Sequence, residues 1–144
     1  MKRIRAAFLL LTLSIALGIF VNNWWVSNTA DTVVTYGAST LYSQEDMNEA
    51  VRVIFDEYHK NWRGFTLHNI TYTSDEESGS EALEELNDLY NTDYSELIVF
   101  TSSFRTAKDE YRSSGFPPNE EVDHWYWYLA RKDHGDWEII TNGV

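Results

Sequence analysis

Four histidines, His59, His68, His124 and His134, are the side chains of this sequence best suited to acid–base chemistry near neutral pH. Nucleophilic catalysis needs a serine, threonine or cysteine beside such a base, together with an acid that orients the base. The chain has no cysteine, and none of its serines lies in a Gly-x-Ser-x-Gly turn. The motifs therefore predict no catalytic residues.

Two groups of side chains have the chemical types that bind metals. Asp56 and His59 stand three apart on a predicted helix and share a face. That face lies off the apolar stripe of the helix, where a solvated ion pair is the simpler interpretation. Residues 120–124 contain three acids and a histidine, which could hold calcium weakly or form an ordinary acidic loop. We predict neither a metal site nor a cofactor.

Four consecutive aromatic residues, Trp125, Tyr126, Trp127 and Tyr128, are the strongest candidates for binding a ligand or partner. In a strand the two tryptophans point to one face and the two tyrosines to the other. A single helix cannot cover both rows, so we expect the tryptophans to face the helix and the tyrosines to be available to a partner. The alternative is that one row is core and the other is a cross-strand ladder that stabilises the sheet.

The charge distribution limits the classes of partner. Three of the eleven basic residues, Lys2, Arg3 and Arg5, precede all 23 acidic residues, so the chain beyond them is more acidic than its net charge of −12 indicates. Such a surface repels phosphates, and we expect no nucleic acid partner. The remaining candidates are an unknown protein or small ligand at the cell surface.

The N-terminus has the pattern of a membrane-targeting segment. Its three cations precede an apolar run at 6–21 that has no polar face, and Trp24 and Trp25 suit a membrane interface. A small-x-small cleavage site is poorly formed, which favours a retained anchor over a cleaved signal. We predict a signal or anchor at 1–30, a tether at 31–42 and a domain at 43–144. The domain is exported, on the cell membrane or secreted after cleavage.

The predicted elements of the domain indicate an α+β fold. Ser43 before two acids predicts the start of a long amphipathic helix that ends at Gly64. Its expected buried stripe contains Met47, Val51, Ile54, Phe55 and Tyr58. We expect an antiparallel sheet of about four strands wrapped on this helix. The predicted strands are 65–73, 95–104, 122–131 and 137–141, with a short helix at 81–90 and an irregular connection at 105–120.

Several packing residues of the domain form a recognisable pattern, which is Gly37-x-Ser39-x-x-Tyr42-Ser43-x-x-Asp46, Trp125-x-Trp127-x-Leu129-x-Arg131, Trp137-x-Ile139 and Gly143. Over 37–144 the chain resembles a family of small exported proteins of clostridial-type Gram-positive bacteria. The resemblance implies a cystatin-like or nuclear-transport-factor-like α+β roll. It implies no activity, because the family has no established catalytic residues to transfer.

The leading hypothesis for function is a non-enzymatic binding or interaction domain at the cell surface. One alternative is a small enzyme that uses a pocket at the mouth of the roll, with His124 or Asp123 as general base. Another is an accessory subunit of a membrane partner. A deep pocket that contains an acid or histidine would favour the enzyme, and an aromatic row on an open sheet face would favour binding.

Overall fold

The structure, a computed structural model, describes residues 28–109 and 115–144. The predicted signal or anchor segment, residues 1–30, lies outside the described residues except for its last three. Export and membrane attachment therefore stay predictions. Neither helix within the described ranges has the length and apolar character needed to cross a bilayer.

The described residues form two helices and one sheet of five strands, which confirms the predicted α+β class. The sheet order is β1-β2-β3-β4-β5, and the last four strands pair antiparallel with their neighbours. The elements, in chain order, are β1 Val33–Thr35, α1 Gln44–Asn61, β2 Thr66–Tyr72, α2 Ser80–Tyr90, β3 Glu96–Arg105, β4 Glu121–Arg131 and β5 Glu138–Gly143.

Strand β1 corrects the expectation of about four antiparallel strands. It pairs parallel with β2, in the register Val33 to Asn69 and Thr35 to Thr71, so the sheet is mixed. Three residues are too few to give a recognisable alternation, and only the tertiary pairing defines this strand. It lies within 31–42, the segment predicted as a tether. Further along that segment, the Asp75 carboxylate accepts hydrogen bonds from the hydroxyls of Ser39 and Thr40.

Helix α1 follows its predicted signals closely. The Ser43 hydroxyl caps the N-terminus by accepting a hydrogen bond from the Asp46 backbone N–H, and the Asp46 carboxylate in turn accepts one from the Ser43 backbone N–H. Two acids in the first turn also suit the positive end of the helix dipole. The helix ends at Asn61, three residues before the predicted Gly64, which instead adopts φ +83° in the following turn. Its fully buried residues are Met47, Ala50, Val51, Ile54 and Tyr58.

The two faces of the sheet carry two separate apolar clusters. The larger one lies between the sheet and α1, and includes Ile98 and Phe100 of β3 beside Leu129 of β4. The smaller one lies on the opposite face beneath α2, where Leu86 packs with Leu97 and Val99. A second helix therefore covers part of the face that the sequence left for a partner.

A buried arginine links three elements at the end of the sheet where α1 begins. Arg131 of β4 is 4% exposed. Its guanidinium donates two hydrogen bonds to Glu96 of β3, at 2.8 and 2.9 Å, and one to Asp46 of α1 at 2.8 Å. It also lies 4.2 Å from the ring centroid of Trp137. This network fixes the helix start against the two central strands, which leaves the opposite end of the fold for the pocket described below.

Candidate functional site

The aromatic stretch of β4 divides between the two faces of the sheet as alternation predicts. Trp125 and Trp127 lie on the α1 side, and Tyr126 and Tyr128 lie on the α2 side. A bulge precedes the stretch, because Ser102 of β3 pairs with Trp125 while Phe104 pairs with Val122. Two residues of β4 thus oppose one of β3, and His124 takes a left-handed conformation with φ +56°. The bulge brings Val122 and Trp125 to the same face despite their odd spacing.

Trp127 is a core residue. Its side chain is completely buried, and its indole N–H donates to the Ser102 hydroxyl at 2.9 Å. The rings of Tyr58 and Trp62 pack against it, with centroid distances of 5.6 and 5.5 Å. Trp127 therefore has no exposed surface for a ligand. It packs instead beneath Trp62, which does have exposed surface.

Tyr126 and Tyr128 form a stacked, half-buried pair. Their ring centroids are 6.1 Å apart and their planes are inclined by 22°. They pack against the small α2 cluster, and burial raises the pKa of the Tyr128 hydroxyl. Beside them Leu89 and Tyr90 of α2 are 76% and 43% exposed. This face therefore combines the stacked tyrosine pair with two exposed apolar side chains of α2.

A concave aromatic site lies on the α1 side, where α1 ends and β4 begins. It encloses about 340 Å³, near the lower end of the range for small-molecule sites. We call it the mouth pocket. Its lining combines four aromatic rings with one carboxylate and two amides, and the residues are Glu57, Asn61, Trp62, Phe65, Phe116, Trp125 and Asn142.

The rings of the mouth pocket pack at steep angles to one another. Trp62 and Trp125 have centroids 5.7 Å apart and planes inclined by 76°. Phe116 lies 5.4 Å from Trp125 at 60° and 6.1 Å from Trp62 at 44°. Phe65 and Phe104 form the layer behind them, with Phe65 1% exposed and Phe104 fully buried. Because of these steep angles, the rings that line the opening do not lie in a common plane.

The polar groups of the pocket hold one another in place. The Glu57 carboxylate accepts the Asn61 side-chain N–H at 2.9 Å and the Trp62 indole N–H at 3.3 Å. The Trp125 indole N–H donates to the Asn142 side-chain oxygen at 3.2 Å. Both groups that donate to Glu57 are neutral. No lysine, arginine or histidine of the described ranges lies within ion-pair distance of Glu57.

Sequence reasoning identified one of these rings as a site residue, Trp125, and missed the rest. Trp62 stands one turn beyond Tyr58 of the expected buried stripe, and nothing local marks it as a site residue. Phe116 stands between Gly115 and Pro117 in the connection predicted to be irregular. An aromatic residue in such a loop is the one local signal that could have marked it. Glu57 carries no signal in the sequence beyond its position one turn before the end of α1.

The histidines and acids weighed for catalysis or metal binding lie outside the mouth pocket. Asp123 and His124 sit exposed on the bulge of β4. Glu121 contacts Arg105 and His68, and the hydrogen bond from Arg105 lowers its pKa. Among the residues with described positions, no three metal-binding side chains cluster. His59, the partner weighed for Asp56, instead contacts the Thr29 hydroxyl at 3.1 Å.

Comparison of the chain with protein-family models, with curated proteins and with solved structures finds no match. The resemblance to small exported proteins with an α+β roll therefore remains a prediction.

Proposed function

We propose that this chain is a non-enzymatic binding domain whose ligand occupies the mouth pocket. The observation that carries the proposal is the convergence of Trp62, Phe65, Phe116 and Trp125 on one concave surface. Three of these rings are half-buried, so they keep apolar area in contact with solvent. A core alone would bury such rings, whereas binding sites use them because each offers a large rigid surface at low entropic cost.

The composition of the pocket favours binding over catalysis. Among the described lining residues Glu57 is the only ionisable side chain, and Asn61 and Trp62 fix its position. An acid–base or nucleophilic mechanism would need a second reactive group within hydrogen-bond reach of the same ligand atoms. The remaining lining consists of rings and amides. The bases considered for an enzyme, Asp123 and His124, are not among the lining residues.

The proposed location is the outside of the cell, with the chain anchored in the membrane or released by cleavage. Support comes from Lys2, Arg3 and Arg5 before the apolar run at 6–21. The acidic character of the rest of the chain is consistent with a soluble surface domain. The ligand would then be a small molecule, or an exposed group of a larger one, that this surface encounters.

The pocket can be tested through its own tryptophans. We suggest screening a library of small polar and apolar fragments against the full-length chain in a maltoside detergent, and following the indole N–H signals by NMR. Ligands of the mouth pocket should shift the signals of Trp62 and Trp125. The signal of Trp137 serves as the internal control, since its ring is buried beside Arg131, away from the opening. A library in which no fragment shifts the Trp62 or Trp125 signal would refute the proposal.

A further inference from the structure

We infer that the ligand of the mouth pocket is an organic ammonium cation whose nitrogen carries alkyl groups. The inference rests on the proposed function and adds the chemical class of the ligand. It combines two observations, the inclined aromatic rings of the pocket and the carboxylate of Glu57 beside them. Together these features match the chemistry of a cation that has an apolar surface.

The rings provide the first half of the match. Each aromatic face carries partial negative charge that attracts a cation within about 6 Å, and tryptophan is the strongest of the aromatic residues in this respect. Trp62 and Trp125 meet at 76°, and Phe116 is inclined to Trp125 by 60°. Rings at such angles border a methylated ammonium group from several sides, while a flat ligand would stack on only one of them.

Glu57 provides the second half. Its carboxylate is held by the neutral donors of Asn61 and Trp62, so its position is fixed, and no cation of the described residues forms an ion pair with it. The chain carries a net charge of −12, which further favours the approach of a cation and repels anions. A neutral ligand would gain no net Coulomb attraction from this charge.

The hydrogen-bond inventory favours an alkylated ammonium over a sugar or a primary amine. The indole N–H groups of Trp62 and Trp125 and one amide N–H of Asn61 already bond to acceptors of the protein. A sugar would have to compete for these donors, since its hydroxyls need both donors and acceptors. A primary ammonium would direct its three N–H groups to the Glu57 and Asn61 oxygens and would offer the rings little apolar surface. A quaternary ammonium has no N–H group to satisfy and covers the rings with its alkyl groups, and a headgroup of this size fits a volume of about 340 Å³.

Choline and its uncharged carbon analogue, 3,3-dimethylbutan-1-ol, test the inference directly because they share one shape. We would titrate both into the full-length chain in maltoside, which carries no ammonium group, and follow the indole signals of Trp62 and Trp125. We expect choline to bind at least tenfold more tightly than the analogue, as cation–π attraction in a desolvated site implies. Equal affinities would overturn the inference while leaving the pocket proposal standing.

Matched variants separate the contributions of charge and ring. Glu57→Gln keeps an oxygen that can accept from Asn61 and Trp62, and it should weaken choline binding about tenfold without changing the affinity of the analogue. Asp56→Asn removes the same charge from the exposed neighbouring position and should have little effect. Trp125→Leu should abolish binding of both probes. Thermal unfolding of each variant shows whether the fold is retained.

The outcomes of the two experiments are distinguishable. If fragments bind the mouth pocket but choline does not, the ammonium inference is wrong and the proposed function survives. If Glu57→Gln and Asp56→Asn reduce choline binding equally, the attraction is a general effect of the acidic surface, and the assignment to Glu57 fails. If no probe and no fragment shifts the indole signals, both proposals fall.

Discussion

Replacing Arg131 with leucine should lower the free energy of unfolding by about 3 kcal/mol, the low end of the range for breaking a buried ion pair. The guanidinium side chain is 5% exposed, and its partners Glu96 and Asp46 are 16% and 29% exposed. Leucine would leave these two carboxylates facing each other without the guanidinium, and Glu96 would keep its contact with His134. Because water reaches Asp46 in part, the loss should stay below that of a fully buried triad. Urea titration of the full-length chain at pH 7, with an unchanged slope, measures this difference.

Lys132→Leu is the matched control, since Lys132 is the next residue and its ion pair with Asp93 is exposed. Exposed pairs contribute little, so this variant should unfold almost as the wild type does. The hydrogen bond from Ser43, aided by those from Arg131, lowers the pKa of Asp46 below its ordinary 3.8. Its contribution is therefore present at neutral pH and is lost as the pH falls below about 4, where Arg131→Leu should approach the wild type. Equal losses for both variants at pH 7 would refute the assignment of Arg131 as the link between helix and sheet.

Three further predictions test the rest of the fold. Ile54→Ala should cost about 2–5 kcal/mol in a denaturation titration, whereas Asp56→Ala should cost little, and similar losses would mean that α1 packs through another face. Hydrogen bonds, first from Ser39 and then from Thr40, lower the pKa of Asp75, so its stabilising contribution disappears as the pH falls below its ordinary 3.8. In unfolding titrations between pH 2 and 6, Asp75→Asn should show a weaker acid dependence than the wild type, and an unchanged dependence would contradict this. Replacing Tyr126 and Tyr128 together with serine should lower the unfolding temperature yet leave the chain folded by circular dichroism, and complete unfolding would show that the α2 face is essential core.

The elements with strong local signals were predictable from the sequence. The apolar spacing and the N-terminal cap define α1 without knowledge of the rest of the fold. The predicted strand at 122–131 coincides with the observed β4, Glu121–Arg131, except that β4 begins one residue earlier. Strand β1 was not predictable, because Val33–Thr35 has no pattern of its own and its partner in β2 lies more than 30 residues further along the chain.

The mouth pocket was predictable only in part. Trp125 attracts notice because it begins an aromatic run. Its neighbours in space come from the end of α1, the turn before β2 and the loop before β4, and no local pattern relates these segments. The same limit applies to Trp127, whose burial depends on Tyr58 and Trp62 packing over it.

We expected Tyr126 and Tyr128 of β4 to lie on a sheet face that no helix covers. Tyr126 and Tyr128 are partly covered by α2, a helix that the sequence predicted without placing it against the sheet. The helix covers that face because its residue Leu86 packs against Leu97 of β3. Which face a short helix occupies depends on chain topology, which its own amphipathic pattern does not encode.

Two segments that are far apart in the sequence meet beside the mouth pocket. The Asn28 backbone N–H donates to the carbonyl of Phe65 at 2.8 Å, and Asn142 of β5 lies in the lining. A bulky group attached at either position would therefore crowd the opening. The turn around Asp133 lies at the far pole, next to Arg131, and is exposed, so it is the better place to attach a dye or a solid support.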